Sequence, residues 1–567
     1  MASTDGLLPS SGPEREAATR ASALAVTALL NCLIREVARP DPESRRRDGA
    51  GGHPGRPAGP GEYVLPATGH VLRVGGDRYP AAPSLRTPDG WCPLELPELV
   101  ALTAAELWAG TGARNDDLLA EILHSRDVTA ALLLARRAAV PPADLYLRSE
   151  QALVAGHRYH PAPKARGGGS PESWLPYAPE VAASFALPLL GVPAEDLVEE
   201  GDAGALDLLG GPAGDGFALL PAHPWQLTLL GGPPGGRPGD RPVDRPGDRP
   251  GDVAGDLAGG LRGGRLRHLG FTRATAVATA SIRTVYLPEP DLFCKFSLDV
   301  RITNDVRRLW LHDLRRLTLV TALLDEVFDD LPRHLPRPAV LRDRGWRSAR
   351  LGGDGGEALA VIVRDGLGGH LRPGLTALLA AGVSEGFPGN PLDALDENAA
   401  FVWWERYLEH VVPPVLHAYL RHGLVLESHL QNVLVAVDEL GLPAQVLFRD
   451  VEGVKLVAER YPQLSAPVLG SGRAWERLVY CLLTNNLCEI AGAVAERHPR
   501  LRGELWARAR AVFAAAAKDH GDPAELRDLL AATHIPAKAN LLLRWLDADG
   551  GAMRWVPIPN PLRLFTA

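Results

Sequence analysis

The sequence predicts an α+β protein that is built from several domains. Its 567 residues exceed the usual size of one domain, and a hydrophobic content of 46% with 23% charged residues is ordinary for a chain that buries large cores. The hydrophobic spacing is helical near the N-terminus, strand-like in the middle of the chain and mostly helical in the last third. Helices that frame a β-rich middle section are typical of the α+β class.

Predicted helices flank a group of predicted strands. Amphipathic spacing indicates helices over 14–38, 104–108 and 116–137. Strands are predicted over 274–282, 285–287 and 293–298, followed by a helix over 303–328 and another over 398–422, which Pro413 and Pro414 should kink or split. Residues 231–264 contain the repeat RPGDRPVDRPGDRPGD and almost no large apolar side chains, which predicts a disordered insertion without a catalytic role.

Composition and charge exclude several classes of protein. The net charge of −8 argues against a nucleic-acid partner, and five scattered cysteines without CxxC spacing predict neither disulfides nor a zinc site. Residues 1–14 lack the basic and apolar regions of a signal peptide, and the apolar runs are too short to span a bilayer, so we expect a cytoplasmic protein with no membrane partner. The sequence contains no Walker A, HExxH, GxSxG or Rossmann glycine motif.

The most informative stretch is ESHLQN (427–432), followed by an apolar run, a turn and a second strand that ends in FRDVEG (448–453). Strands over 433–437 and 444–448 would form a hairpin that brings Asn432 beside Asp450. A neutral oxygen ligand beside a carboxylate suits Mg²⁺, which usually bridges to nucleotide phosphates. Protein kinases hold their metal ions with a similar Asn and strand-end Asp. The stretch therefore predicts a Mg-ATP site, and the alternative is a hairpin rim whose acids are merely solvated.

A second polar cluster, GHRYHPAPK at 156–164, places His157, His160 and Lys164 within eight residues, between prolines. The two imidazoles are potential metal ligands, but no third ligand with suitable spacing is near them. A cationic lysine and hydrogen-bonding histidines on a rigid turn suit a carboxylate or a phosphate better. A polar loop that caps a helix is the alternative.

Hydroxyl and cationic groups meet in TASIRT (279–284), at the end of a predicted strand. Arg283 beside these hydroxyls is a plausible phosphate clamp, because the guanidinium fork matches phosphate oxygens. Lys295 stands among apolar residues on the next strand, so its charge needs an anion, and kinase-like folds use a strand lysine for the α and β phosphates. Thr303 and Asn304, followed by Arg307, are predicted to open a helix whose free N–H groups favour anions. An N-cap followed by surface arginines is the alternative.

Seven short motifs occur in a fixed order along the chain: GHRYHPAPKAR (156–166), HPWQ (223–226), TASIRT (279–284), CKFSLDVRITNDVRR (294–308), ESHLQN (427–432), FRDVEG (448–453) and AKANLLLRW…IPNPL (537–562). In this order they resemble the IucA/IucC family of siderophore synthetases, the NRPS-independent (NIS) synthetases. The resemblance runs from about residue 150 to the C-terminus, and the first 150 residues match in length and helix content only. Two features depart from the family pattern. The PGDR repeat follows HPWQ, and Arg158-Tyr159 stands where a GHPxHP form is more usual.

The resemblance implies a palm, fingers and thumb architecture with a kinase-like palm. Its expected parts are a helical thumb-like domain (1–145), a β-rich fingers-like domain with the disordered insertion (146–325, insertion 231–264) and a palm-like domain (326–567). It also implies an enzyme that uses ATP and Mg²⁺ to adenylate a carboxylate, commonly citrate. An amine or hydroxylamine-bearing amine then attacks the acyl-AMP, which yields an amide with release of AMP and pyrophosphate. A homodimer is a family expectation.

The resemblance also gives roles to residues that stand in the motifs. The expected nucleotide contacts are Ser281, Arg283, Thr284, Lys295, Arg307, Arg364, Asn432 and Asp450. The expected metal ligands are Asn432, Asp450 and Glu452. The expected carboxylate pocket consists of His157, His160, Lys164, Thr303, Asn304, Arg307, His429 and Gln431. The expected catalytic residues are Lys295, Arg307, His429 and Glu427.

A kinase-fold small-molecule phosphotransferase is the chief alternative. Kinases of that group have an Asp-x-His-x-x-Asn loop before a similar hairpin, and Glu427, His429 and Asn432 stand at those spacings. No glycine-rich GxGxxG loop accompanies them, which favours the synthetase. A third reading, a protein that binds without reacting, is disfavoured because Lys295 and Asp450 are both present. The acid stays open among citrate, its monoamide, succinyl-type hydroxamates and 2-oxoglutarate.

Overall fold

The structure is a computed structural model that describes residues 12–42, 44, 61–167, 169–231, 259, 265–303, 305–350, 356–464, 468–547 and 553–564. Helices and sheets are mixed along the whole of this part of the chain, which confirms the predicted α+β class. The predicted insertion at 231–264 lies almost entirely outside the described residues, and Asn304 also lies outside them.

The N-terminal part packs helices against an antiparallel sheet of five strands. Leu29, Leu33, Leu72 and Leu99 are buried together in this core, and Trp545 joins them from the other end of the chain. The helices are Gly12–Glu36, Leu96–Thr111, Asp116–Arg136 and Leu145–Glu150, and the strands in sheet order are Arg39–Pro40, Gly61–Val64, Val71–Gly75, Ala81–Thr87 and Gly90–Pro93. The predicted first helix and the helix after residue 116 are confirmed within two residues at each end.

Two helical segments, Gly12–Glu36 and Ser471–Arg497, have the length and the apolar composition that crossing a membrane requires. Each segment contains an apolar stretch of 18 residues. In the first segment 50% of this stretch is buried inside the protein, and in the second segment 78% is buried. The largely apolar run 23–30, which the sequence indicates is too short to span a bilayer, lies within the first segment.

The middle of the chain forms a seven-stranded sheet in which neighbouring strands are antiparallel. A second, three-stranded antiparallel sheet shares its core, because Leu190 and Leu220 are buried with Val285 and Val363. The strands of the larger sheet in order are Ser184–Phe185, Ala276–Ala278, Thr284–Leu287, Leu292–Phe296, Val361–Asp365, Asp343–Ala349 and Leu197–Gly201. Those of the smaller sheet are Arg267–Phe271, Pro188–Pro193 and Phe217–Pro221, and the helices nearby are Pro171–Trp174 and Pro224–Leu229.

The predicted helix over 303–328 is wrong in its first part. Strands Arg301–Ile302 and Asp305–Val306 form a small antiparallel pair, and Thr303 has a φ of 60°. A left-handed residue cannot begin a right-handed helix, so helices start only at Leu311–Leu314 and Leu317–Val327. The predicted anion site at a helix N-terminus beside Thr303 is therefore wrong.

The C-terminal part contains a four-stranded sheet in the order Ala339–Val340, Pro443–Phe448, Val433–Val437 and Thr376–Leu379. The two central strands are the predicted hairpin, with Val433 opposite Phe448. Strands Leu424–Val425, Lys455–Val457 and Val468–Leu469 form a further small sheet, and His534–Lys538 pairs with Trp555–Pro559. The helical segments of this part are Ala380–Glu385, Glu397–His422, Ser471–Val479, Tyr480–Leu487, Cys488–Arg497, Arg502–Asp519, Ala524–Ala531, Asn540–Trp545 and Pro561–Leu564.

Helix Glu397–His422 continues through Pro413 and Pro414, so of the two predicted outcomes, a kink or a split, the split is wrong. Each internal proline costs about 3 kcal/mol. Trp403, Trp404 and several neighbours on this helix are fully buried in the largest core, and each large apolar side chain contributes about 1.5–3 kcal/mol on burial. The burial of the whole helix therefore outweighs the two prolines.

Candidate active site

Lys295 lies at the centre of a buried group of charges. It is on strand Leu292–Phe296, where it pairs with Thr284 on one side and Ile362 on the other. Its ammonium group contacts the carboxylate of Asp450 and lies 2.6 Å from Oε2 of Glu452. A buried ammonium needs an anionic partner, and the two acids of the FRDVEG motif provide it. The structure thus brings together three of the predicted site residues.

Arg364 joins the same group from the adjacent strand Val361–Asp365. Its Nη2 lies 2.8 Å from Oδ1 of Asp450, and its Nε lies 2.5 Å from Oδ1 of Asp343, which is fully buried. Burial opposes the charged form of Asp450, but Lys295 and Arg364 hold its pKa well below the usual range. The sequence analysis missed Asp343, since a single acid at a strand start carries no motif signal.

The hairpin places Asn432 next to the Asp450 loop, as predicted. The backbone oxygen of Asn432 accepts a 3.1 Å hydrogen bond from the backbone N–H of Arg449, and its side-chain nitrogen lies 3.3 Å from Nε2 of His429. Asp450 itself has a φ of 73°, which is strained for any residue other than glycine. Such strain concentrates at functional sites, where the surrounding contacts keep it in place.

The TASIRT motif forms the tight turn between two strands of the larger sheet. Thr279 donates a 2.6 Å hydrogen bond from its hydroxyl to the backbone oxygen of Thr284, and Ile282 has a φ of 54°. This turn leaves Ser281 half-buried and directs Arg283 toward Arg307, whose backbone oxygen accepts a 2.9 Å hydrogen bond from Arg283 Nη1.

Two guanidinium groups therefore lie close together at this edge of the site. Arg307 Nη2 donates to the backbone oxygen of Ile302 at 2.8 Å and to the hydroxyl of Thr303 at 2.7 Å. Burial, and then the nearby charge of Arg283, lower the pKa of Arg307 to about 10. Within the described residues neither arginine has a carboxylate within ion-pairing distance. An anion bound here would relieve this repulsion.

The ESHLQN loop carries its own ion pair. The Glu427 carboxylate contacts Arg477 and lies 3.8 Å from Nε2 of His429. Burial works against its charged form, but Arg477 and then His429 hold the pKa of Glu427 well below the usual range. Any Cβ atom at Gly453 would collide with this carboxylate, so the glycine of FRDVEG is required for the close approach.

Arg449 and Glu150 connect the loops from beneath. Arg449 Nη1 lies 2.6 Å from Oε1 of Glu150, and its Nε and Nη2 donate to the backbone oxygen of Gln431 at 3.0 and 2.8 Å. Oε2 of Glu150 also accepts a 3.1 Å hydrogen bond from the backbone N–H of Ala280. One buried ion pair thus holds ESHLQN, FRDVEG and TASIRT against one another.

The GHRYHPAPK loop approaches the C-terminal helices. His157 Nδ1 accepts a 3.2 Å hydrogen bond from the backbone N–H of Tyr159, and its Nε2 lies 3.5 Å from Nδ2 of Asn485. Burial, followed by the charge of Arg35, lowers the pKa of His157 to about 4, so this imidazole is neutral at pH 7. His160 is buried, and its Nδ1 accepts a 3.1 Å hydrogen bond from a backbone N–H.

Lys164 does not face an open pocket. Its ammonium lies 2.5 Å from Oε1 of the buried Glu180 and also contacts the backbone oxygen of Leu153. Arg166 shares the same carboxylate at 2.8 Å. The structure therefore places Lys164 inside a buried ion network with Glu180 and Arg166.

The departure at Arg158 has a partner in the structure. Arg158 forms two hydrogen bonds to Glu489, at 2.7 and 2.9 Å, and the guanidinium of Arg35 lies 3.1 Å from the ring centre of Tyr159. This pairing anchors the histidine loop to helix Cys488–Arg497. Arg158 and Tyr159 thus replace the rigidity of a proline with a buried bidentate contact.

Comparison with known proteins gives a consistent result. A model of the IucA/IucC family matches residues 145–233 and 253–385, and a model described as ferric iron reductase FhuF-like transporter matches residues 402–553. The rhizobactin siderophore biosynthesis protein RhbC of Rhizobium meliloti is 28% identical to this chain over 94% of the chain and 95% of its own length. L-2,3-diaminopropanoate–citrate ligase of Staphylococcus aureus is 26% identical over 74% of this chain and 75% of its own length.

The fold is also similar to that of a solved structure. The solved structure of ATP-bound aerobactin synthetase IucA from a hypervirulent pathotype of Klebsiella pneumoniae superimposes with a TM-score of 0.77 at 20% identity and covers 95% of this chain and 99% of that one. The first family match contains the GHRYHPAPK and HPWQ motifs, and the second contains TASIRT and Lys295. The chain is therefore similar to the IucA/IucC family over residues 145–233 and 253–385.

Proposed function

We propose that this protein is an ATP-dependent siderophore synthetase that activates a carboxylate of citrate and joins it to an amine. The observation that carries the proposal is the group of charges around Lys295, in which two cations from adjacent strands meet the acids at the end of the hairpin. The names of two relatives support the substrate class, because one is a siderophore biosynthesis protein and the other ligates citrate to diaminopropanoate. The ATP-bound state of a protein with the same fold supports the nucleotide.

The proposed chemistry has two steps. A carboxylate oxygen attacks the α-phosphorus of ATP, the bond to the β-phosphate breaks, and pyrophosphate leaves. The amine nitrogen then attacks the acyl carbon, the bond to AMP breaks, and the nitrogen loses a proton. The first step joins two anions, and Arg283, Arg307 and Lys295 supply positive charge at fixed positions where that repulsion develops. Holding the acid in line with the phosphate contributes the remaining rate gain.

The donor set at the end of the hairpin fits Mg²⁺. Asp450, Glu452 and Asn432 offer hard oxygen ligands of the type this ion prefers, and 24% of the Asp450 side chain stays exposed. In the structure the two acids are paired with Lys295 and Arg364. When bound, the ion would neutralise phosphate charge.

The state of Glu427 favours a synthetase over a kinase. A kinase of this fold needs a free carboxylate at this position to accept a hydroxyl proton. Glu427 instead contacts Arg477, and its depressed pKa makes it a poor proton acceptor at neutral pH. We infer that it orients His429, whose imidazole is the nearest candidate to take the proton from the amine.

An assay of AMP and pyrophosphate release, with hydroxylamine trapping, tests the proposal across citrate, succinate derivatives and 2-oxoglutarate. We expect citrate-dependent AMP and a trapped hydroxamate, both abolished in Lys295→Ala. Lys518→Ala removes a lysine from an exposed helix position and should retain activity. Release of ADP would establish the phosphotransferase instead, and turnover with another acid only would refute citrate as the substrate.

A further inference from the structure

A group of metal-binding side chains lies at the end of helix Glu397–His422, apart from the group of charges around Lys295. Nε2 of His417 and Nε2 of His422 each lie 2.8 Å from Oδ1 of Asp330. Among the described residues this is the one group of three or more His, Cys, Asp or Glu side chains whose ligand atoms all lie within 4.8 Å of one another.

The surroundings favour a cation. His422 ends one long helix, and His520 follows the end of another, Arg502–Asp519, with its ring centre 5.6 Å from that of His417. The C-terminal ends of helices carry partial negative charge, so both helix ends stabilise positive charge here. Asp330, His417 and His520 border a cavity of about 750 Å³. Its charged lining is four carboxylates and two guanidinium groups: Asp330, Glu459, Asp519, Glu525, Arg421 and Arg460.

Two guanidinium groups oppose a cation here, and Arg421 is the one that contacts Asp330, while Arg460 lines the same cavity. The Nε atom of Arg421 lies 3.5 Å from Oδ2 of Asp330, which is the oxygen that does not contact the histidines. The Arg421 side chain is 69% exposed, so it can turn into solvent at little expense. His417, by contrast, is almost fully buried on the helix and holds its position.

We propose that Asp330, His417 and His422 bind a divalent transition-metal ion, with Zn²⁺ the ion that fits best. Two imidazoles and one carboxylate form a borderline donor set that suits Zn²⁺ better than Mg²⁺ or Ca²⁺. In a tetrahedral site with bonds of about 2.0–2.1 Å the ligand atoms lie about 3.3 Å apart. The observed spacings of 2.8 Å therefore need to widen by only about half an ångström. The fourth position opens to the cavity, where a water molecule completes the coordination.

The site joins two parts of the chain. Asp330 follows helix Leu317–Val327, while the histidines end the helix that leads through Gly423 into strand Leu424–Val425 and then to the ESHLQN loop. A metal ion would fix the end of this helix against the segment after residue 327. We therefore expect Zn²⁺ to stabilise the fold, whether or not the proposed synthetase activity is correct.

Zinc binding to the full-length protein tests the proposal directly. The protein is freed of metal with a chelator and titrated with Zn²⁺ against a chromophoric competitor. The expected result is one tight equivalent for the wild type that is lost in Asp330→Asn/His422→Ala. The double variant Asp329→Asn/His312→Ala also removes one carboxylate and one imidazole, but from exposed positions. It should still bind one tight equivalent of Zn²⁺.

A rescue experiment separates ligation from a structural role. His422→Cys replaces one ligand by another, and titration with Co²⁺ should then produce a thiolate-to-metal charge-transfer band that the wild type lacks. Zn²⁺ should also raise the melting temperature of the wild type and of His422→Cys, but not that of the double variant Asp330→Asn/His422→Ala. Equal zinc stoichiometry in all variants, or no thiolate band in a folded His422→Cys protein, would show that Asp330 only accepts hydrogen bonds from two histidines.

Discussion

The buried pair of Glu150 and Arg449 permits a quantitative test of how the site is held together. The Glu150 side chain is fully buried and that of Arg449 is 5% exposed. Removal of one partner leaves an uncompensated buried charge, which destabilises a protein by about 3–5 kcal/mol. Glu150→Leu and Arg449→Met should each lower the free energy of unfolding by about 3–5 kcal/mol. For a cooperative unit of about 150–250 residues, the melting temperature should fall by at least about 6 °C.

The double variant distinguishes a charge effect from a packing effect. It removes both charges and leaves two unpaired backbone groups, the Gln431 carbonyl and the Ala280 N–H, at about 1–3 kcal/mol each. We therefore expect a loss of about 2–6 kcal/mol, against about 6–10 kcal/mol for the sum of the single variants. Differential scanning fluorimetry gives the ranking, and hydrogen exchange in peptides from the hairpin localises the effect.

The ATP response of the same variants is the second measurement. Because the pair holds TASIRT against ESHLQN, each single variant should also raise the KM for ATP. Additive losses in the double variant, or an unchanged KM for ATP in a folded single variant, would refute the view that this ion pair positions the two motifs.

Three further predictions follow from single residues. Gly453→Ala should lower kcat/KM about tenfold or more, because the added methyl group displaces the Glu427 carboxylate. Gly472→Ala is the control, since a methyl group added there has no atom within 4 Å, and this variant should retain activity in the AMP assay. Burial raises the pKa of Glu385 from 4.5 to about 7. Between these pH values the folded state keeps a proton that the unfolded state releases. The free energy of unfolding should therefore fall by up to about 3 kcal/mol as the pH rises from 4.5 to about 7. In Glu385→Gln the melting temperature should change less between pH 4.5 and about 7 than in the wild type. It should exceed the melting temperature of the wild type only above this pH range, and parallel profiles of the two proteins would contradict the assignment. Burial lowers the pKa of Lys538, and within the described residues this lysine makes no ion pair, so we expect a bound carboxylate to be its partner. Lys538→Gln should therefore raise the KM for citrate while leaving the melting temperature unchanged, and the opposite pattern would contradict a substrate role.

Local sequence patterns predicted the elements that carry the nucleotide motifs. The hairpin strands Val433–Val437 and Pro443–Phe448 agree with the prediction within one residue, because two short, almost fully buried runs separated by a turn with Gly441 specify both strands and their connection. Lys295 and Asp450 meet across two sheets, since Lys295 is on a strand of the seven-stranded sheet and Asp450 follows a strand of the four-stranded sheet.

Long-range partners were beyond sequence reasoning. Asp343, Glu150 and Arg477 lie 21, 299 and 50 residues from the side chains they pair with, and single acids or arginines outside a motif give no signal of such pairing. The helix predicted from residue 303 was wrong for a local reason, since helical spacing of apolar residues does not exclude a left-handed residue at its start.

The charges around the site indicate which cations remain for a substrate. Lys164 was predicted to bind the carboxylate, but Lys164 and Arg166 together hold the pKa of Glu180 at about 2 against the effect of its burial, so they already serve an internal anion. Lys538 lies in a different position. Its pKa is lowered by burial, with the charge of Arg477 adding to that effect, and within the described residues it makes no ion pair. Arg307 shows the same depression. Cations whose charge is disfavoured in the free protein gain most when an anion arrives, so we expect a bound carboxylate to stabilise the charged forms of Arg307 and Lys538.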